Sequence, residues 1–235
     1  MQDINLKTLD GYFLNLNNCD LFLNYYNNPN SYAKHIIDLE INNGHYDDEA
    51  FKKIFKNKNA VVIDGGANIG LFSLMLYRLS KIIYAVEPTN DHINVLKEIC
   101  KKHNIDNIKF SKFAFNNYTG KCNFSFDSNN STTNKISDNG DIVNCIRIFD
   151  FIHNCGESKI DLLKLDIEGG EYNVVLNDAT FNKIASCVEN IYIEAHPPAV
   201  DVKDIILKFI EMGYTVKSMN SQYLNNNLNI LASKK

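Results

Sequence analysis

Two stretches of the chain gather residue types that can do chemistry. The first, "VVIDGGANIG" at 61–70, sets Asp64 and three glycines between apolar runs, and the second, "LLKLDIEGGEY" at 162–172, crowds Lys164, Asp166, Glu168 and Glu171 around a glycine pair. Gly65 and Gly66 open backbone angles closed to other residues and let a ligand reach the main chain without meeting a Cβ. Asn68 tolerates a left-handed conformation and can cap a helix, while Gly70 allows close helix packing. Glu87 follows Asp64 by 23 positions, at the end of the next apolar run, "KIIYAVEP". An acid about 20 residues beyond a glycine turn is placed to accept both hydroxyls of a ribose. Turn and acid together imply an adenosine-containing ligand. Dinucleotide turns follow GxGxxG and bring a helix N-terminus to the pyrophosphate, but here Asp64 would repel a pyrophosphate while it can receive the ammonium of a methionine moiety. S-adenosylmethionine is therefore the expected ligand, with a nicotinamide dinucleotide second.

Strand side chains alternate, so Lys164, Asp166 and Glu168 are expected on one side and Leu165 and Ile167 on the other. In "VENIYIEAH" at 188–196 the same rule groups Tyr192, Glu194 and His196. If the two strands lie close at their carboxyl ends, acids and one imidazole converge on the glycine turn, a composition suited to proton abstraction. Asp166, Glu168 and His196 are the candidate bases. A histidine lies nearest the working pH if its surroundings leave it unshifted, and an aspartate serves if desolvation raises its pKa; both remain open. Lys164 pairs with one of these acids or lines the sheet end, and Glu171 reads as a favourable charge in a first helical turn. A divalent ion on Asp166, Glu168 and His196 is chemically conceivable because oxygen ligands suit magnesium. The spacing does not demand one, and a metal-free site is expected. His35, His45, His92, His103 and His153 read as surface or packing residues.

These residues need a scaffold, and from residue 60 onward strands and helices alternate. An apolar strand at 60–64 leads to a helix from about Asn68 to Leu79, then to the strand "KIIYAVEP" and a helix over about 90–103. Short strands and loop around "IKFSKFAF" follow, then "DLLKLDIE", a helix near 171–176, "VENIYIEAH" and an amphipathic helix stopped by Gly213. The closing strands "YTVKSM" and "LNILAS" resemble a hairpin. Such alternation predicts an α/β fold with a doubly wound, parallel sheet covered on both faces. Residues 1–58 are expected to form a small N-terminal cap, with helices over Ser31–Ile41 and Tyr46–Phe55, and residues 59–235 the ligand-binding domain. The polar stretch 127–143 is expected to be a mobile loop.

Composition narrows the partners. A net charge of -4 with scattered lysines gives no broad pull toward nucleic acid or anionic membrane. No apolar run approaches the ~20 residues of a membrane helix and no leader pattern is evident, so a cytoplasmic protein is expected. Cys19, Cys100, Cys122, Cys145, Cys155 and Cys187 never form a CxxC pair, which argues against a zinc knuckle or dithiol site.

With these motifs in view, the chain resembles the FkbM family of class I methyltransferases. "DGGANIG" matches that family's first motif, "VEP" its ribose-binding acid and "LKLDIEGGE" its second signature; "RIFDFI" at 147–152 and "IEAH" also fit. The resemblance runs from about Tyr46 to Ala232. It implies a Rossmann-like, mostly parallel seven-stranded sheet and O-methylation by S-adenosylmethionine, released as S-adenosylhomocysteine. Carried onto this chain, it places Asp64, Gly65, Gly66, Asn68, Gly70, Glu87, Pro88 and Ala114 at the cofactor, and Lys164, Asp166, Glu168, Glu194 and His196 at the acceptor. The implied acceptor is a nucleotide- or lipid-linked sugar in surface-glycan (capsule or lipopolysaccharide) synthesis, or else a polyketide or other secondary metabolite. An oxidoreductase and a catalytically silent binding subunit are the remaining readings. The first 40 or so residues and the 127–143 stretch match nothing in that pattern.

Overall fold

The computed structural model describes residues 3–28, 33–42, 46, 49–126, 135–196, 202–219 and 228–234. A short antiparallel pair, β1 (Asn5–Lys7) and β2 (Phe13–Asn15), opens the chain, followed by helices α1 (Asp20–Tyr26), α2 (Ala33–His35), which continues as a wider-wound segment Ile36–Ile41, and α3 (Glu49–Ile54). The alternating part then runs β3 (Ala60–Gly65), α4 (Leu71–Leu76), β4 (Ser80–Val86), α5 (Asn90–His103) and β5 (Ile108–Ser111). A small sheet interrupts it, made of β6 (Ala114–Phe115), β7 (Gly120–Ser125), β8 (Lys135–Ile136) and β9 (Asp141–Ile146). After α6 (Ile148–Cys155) come β10 (Leu162–Leu165), α7 (Glu171–Leu176), β11 (Asn190–Ala195), α8 (Val202–Glu211), β12 (Tyr214–Met219) and β13 (Leu228–Lys234).

The main sheet has seven strands in the order β12-β13-β11-β10-β3-β4-β5, parallel except where β13 pairs antiparallel with both β11 and β12. Strand order reverses between β3 and β10, which run side by side with Asp64 opposite Lys164 and Gly65 opposite Leu165. That is the position where an open α/β sheet leaves a crevice at its carboxyl edge.

Each central strand is apolar on both faces because helices cover both. Val62, Leu162 and Tyr192 face one buried cluster with Leu74 and Leu96, while Ile63, Leu163, Ile191 and Ile193 face another with Val174, Ile205 and Phe209. Residues of the N-terminal segment, among them Leu6, Leu14, Phe22 and Phe51, join the first cluster. The cysteines are free and mostly buried.

Three expectations are corrected here. The helix placed from Asn68 begins at Leu71, because Gly70 takes φ 85 as its N-terminal cap and Asn68 sits at φ 49 in the turn. Within the 127–143 stretch, residues 135–136 and 141–143 are strands of the small sheet, whose alternating buried residues Cys122, Phe124, Val143 and Cys145 form a cluster of their own; residues 127–134 lie outside the described residues. The helix expected over Tyr46–Phe55 spans only Glu49–Ile54, and the start of the one expected from Ser31 lies outside the described residues.

Candidate active site

The glycine turn is built by close backbone approach. Gly66 adopts φ 74, and a Cβ there would stand 1.7 Å from the main-chain oxygen of Asp166; one at Gly65 would meet the Phe115 ring at 2.7 Å, and one at Gly70 would meet Leu96 at 2.3 Å. The amides of Gly66 and Ala67 both donate to the carbonyl of Val86 (3.0 and 3.1 Å), so the turn is tied to the end of β4. Asn68 does not cap α4, since its side-chain oxygen accepts from the next amide, Ile69 (2.8 Å).

Glu87 sits beside this turn, 7 % exposed. Its Oε2 accepts the Asn68 amide (3.0 Å), its Oε1 accepts the Thr89 amide (2.9 Å), and His92 Nδ1 lies 3.3 Å from the same Oε1. Burial alone would raise the carboxyl pKa, but the hydrogen bonds from His92 and Thr89 outweigh it and hold Glu87 below the usual carboxylate range. A carboxylate offers about four lone-pair sites, so these contacts leave capacity for ligand hydroxyls. His92, expected to be a packing residue, is the partner that pattern reading missed; it lies five positions beyond Glu87, in the first turn of α5. Pro88 is buried next to Glu87. Ala114 packs with Cys122, Phe124 and Val143 in the small sheet.

Asp64 is fully buried, with Ser73 Oγ donating to its Oδ2 (2.6 Å) and Lys164 Nζ 3.4 Å from its Oδ1. It presents no exposed oxygen to a ligand's ammonium, contrary to expectation, and instead anchors Lys164. Lys164, 4 % exposed, also reaches Asp166 Oδ2 (3.1 Å), donates to the Gly66 carbonyl (3.2 Å) and lies over the Phe72 ring. Burial opposes its charge, yet Asp166 and Asp64 together push its pKa above the ordinary lysine value.

The acids expected at the acceptor meet, though by another backbone route than strand alternation. β10 ends at Leu165, and Glu168 takes φ 53 in a turn over 166–170. Glu171, fully buried at the start of α7, ties that turn down: Ile167 and Gly169 donate their amides to its two oxygens (2.8 and 3.0 Å). The same carboxylate faces His196 Nδ1 at 3.2 Å. His196 Nε2 then points at Glu168 Oε2 (3.5 Å), Asp166 Oδ1 (3.7 Å) and Glu194 Oε1 (3.9 Å). Glu171 is thus the central residue that the sequence reading assigned only a helix-end charge.

Burial works against a charged imidazole, but the Glu171 hydrogen bond and the surrounding carboxylates win and push His196 up to about 10. Burial first, and then the charge of Asp166, pushes Glu168 up to about 8.

A family profile described as "Methyltransferase FkbM domain" matches residues 64–216. Among solved structures, a methyltransferase FkbM from Methylobacillus flagellatus KT superposes with a TM-score of 0.55 at 14% identity, over 74% of this chain and 44% of that one. The chain therefore spans less than half the length of that relative. An rRNA methylase from Streptococcus thermophilus gives a TM-score of 0.49 at 12% identity, over 78% of this chain and 92% of that one. No curated protein matches the sequence significantly. Among the described residues no helix is long and apolar enough to cross a membrane.

Proposed function

Because the chain belongs to the methyltransferase FkbM domain family, we propose that it is an O-methyltransferase whose acceptor is a sugar hydroxyl, on a nucleotide- or lipid-linked intermediate of surface-glycan synthesis in the cytoplasm. S-adenosylmethionine, the methyl donor, supplies an electrophilic methyl group and is released as S-adenosylhomocysteine. The residues at the switch point fit that donor. Gly66 lets the turn pack against the Asp166 carbonyl at the end of β10, and Glu87 is kept ionised at the strand end where two ribose hydroxyls need an acceptor.

The observation that carries oxygen as the methyl acceptor is the carboxylate cluster around His196, next to the glycine turn across the Gly66–Asp166 contact. An alcohol is a weak nucleophile at neutral pH, so a group that receives its proton contributes ~10² to 10⁴ in rate. His196 is ringed by acids that keep it protonated, so the proton goes to a carboxylate of the cluster and the imidazolium holds the acids in place. Lys164, fixed from below by Asp64, orients Asp166 through Oδ2 and leaves Oδ1 toward the acceptor side. What remains is to place the oxygen in line with the methyl group, a matter of position more than of covalent chemistry.

Thermal denaturation with S-adenosylhomocysteine, with NAD and with neither tests the donor assignment. S-adenosylhomocysteine at 100 times its dissociation constant should add ~2.7 kcal/mol, and stabilisation by NAD alone would overturn the reading. For the acceptor, loss of one O-methyl group from the surface glycan of a strain lacking the gene is expected; an unaltered glycan would move the acceptor to small metabolites.

A further inference from the structure

We propose that Asp166, Glu168 and His196 bind a divalent cation, and that the acceptor hydroxyl reaches the reaction as a ligand of that ion. The inference deepens the methyltransferase reading and rests on it for the role of the ion, though not for its binding. It replaces the metal-free site expected from spacing alone.

Each of the three residues offers one ligand atom, and the atoms all lie within 4.8 Å of one another. The separations from His196 Nε2 to Glu168 Oε2 and Asp166 Oδ1, 3.5 and 3.7 Å, are too long for good hydrogen bonds. Two atoms bound to one ion at about 2.0 to 2.4 Å stand roughly 3 to 4.5 Å apart, depending on the angle between them. The inward atoms thus hold the spacing of ligands and not that of partners.

The outward atoms of the same side chains are fixed independently. Asp166 Oδ2 is held by Lys164 and His196 Nδ1 by Glu171, and these two anchors are 4 % and 0 % exposed. An ion entering the site displaces the Nε2 proton that the ring carries without it, and a buried carboxylate on the far nitrogen keeps the other proton in place, the usual support of a metal-bound histidine. Acidic groups crowd the same point: Asp166, Glu168, Glu171 and Glu194 each present an oxygen within 4 Å of a His196 ring nitrogen. One nitrogen and two carboxylate oxygens suit a first-row ion such as Mn²⁺ better than Ca²⁺, which takes oxygen ligands.

Coordination would acidify the acceptor hydroxyl. Its proton passes to Glu194, which lies outside the ligand set and is 13 % exposed where Glu171 is fully buried; the new O–C bond forms as the C–S bond breaks, and the sulfur keeps the electron pair.

Metal-stripped protein titrated with MnCl₂, free Mn²⁺ being followed by its electron paramagnetic resonance signal, tests the site directly. One Mn²⁺ per chain is expected. Glu171→Gln should weaken it ~10- to 100-fold as an outer-shell change, and Glu168→Gln and His196→Gln should weaken it more. Glu157→Gln, at the carboxylate that pairs with Lys81 outside the cluster, should leave it unchanged. The thermal shift with S-adenosylhomocysteine, recorded for every variant, reports that the fold and the donor half are intact; Glu168→Gln, at a quarter-exposed side chain, is the substitution least able to unfold the protein. No Mn²⁺ binding by the parent protein, or equal affinity in Glu168→Gln and His196→Gln, overturns the metal site and leaves the methyltransferase reading standing. Loss of the S-adenosylhomocysteine shift in the parent would strike the methyltransferase reading instead, with Mn²⁺ binding judged on its own titration.

Discussion

Substituting Gly66 by alanine tests whether the two halves of the site are joined through backbone contact. The new residue would have to hold φ 74, which costs an L-residue roughly 1–2 kcal/mol. Its Cβ would also lie 1.7 Å from the Asp166 carbonyl oxygen, and neither atom belongs to a side chain that can swing away. β3 or the 166–170 turn must shift, and forced overpacking of this kind costs about 1–3 kcal/mol. Gly66→Ala should therefore destabilise by about 2–5 kcal/mol. Gly156→Ala is the control, since Gly156 has φ 71 after α6 but nothing within 4 Å of an added Cβ. It should lose only the conformational part, about 1–2 kcal/mol. Urea denaturation of both variants yields the difference, and affinity for S-adenosylhomocysteine should fall in Gly66→Ala alone. Equal stability losses in the two variants, or an unaltered affinity in Gly66→Ala, would refute the argument from close approach.

Three further outcomes are expected. Glu87, faced by His92 and by the amides of Asn68 and Thr89, titrates below its unfolded value of 4.5, so its contribution is fully present above that pH and lost as pH falls through the folded value; urea midpoints from about pH 6 down to about pH 3 should fall less steeply for Glu87→Gln than for the parent, and parallel slopes would refute this. Lys164→Met leaves the fully buried Asp64 without its counter-charge and should cost about 3–5 kcal/mol; Asp64→Asn added to it should recover part of the loss, and a Lys164→Met protein as stable as the parent would show the pair to be idle. Asp166→Asn should lower turnover ~10²-fold or more while S-adenosylhomocysteine affinity stays within a few-fold, and near-parental turnover on a competent acceptor would make the cluster structural.

The architecture was legible because its signals are local and repeated. Apolar runs such as 60–64 and 162–165 end at glycine turns, and the antiparallel pairing of 214–219 with 228–234 closes the sheet as a hairpin, as the pattern suggested. The small sheet was not legible, because its strands are short, alternation buries only two or three residues in each of β7 and β9, and β8 and the start of β9 lie in a polar stretch that reads as loop. At the site, alternation indicated which residues share a side but could not see that β10 stops at Leu165. Beyond that point Glu168 owes its direction to a left-handed φ and to the amides that Glu171 captures. Glu171 was missed for a physical reason: an acid in a first helical turn is stabilised by the helix ends whether or not it does anything else. His92 was missed because a lone histidine on an apolar helix face is usually packing.

One buried ion network lies beneath both halves of the crevice. Asp64 stands in the first glycine motif and Asp166 in the second, 102 positions apart in sequence, yet Lys164 touches both and also binds the Gly66 carbonyl of the turn. A flexible link at this point would let the acceptor hydroxyl wander relative to the methyl group, and in-line transfer is sensitive to displacements of about an ångström. A lysine pinned between two carboxylates at 4 % exposure cannot wander. The desolvation of three charges is costly, and a hydrophobic filler would pack β3 against β10 as well. What a filler could not do is hold the Gly66 carbonyl and the Asp166 carboxylate at fixed distances from one atom. Under the proposed O-methyl transfer the arrangement is therefore better explained by the alignment of donor and acceptor than by stability, and the same atom carries that alignment whether the acceptor oxygen meets a bare carboxylate or an ion.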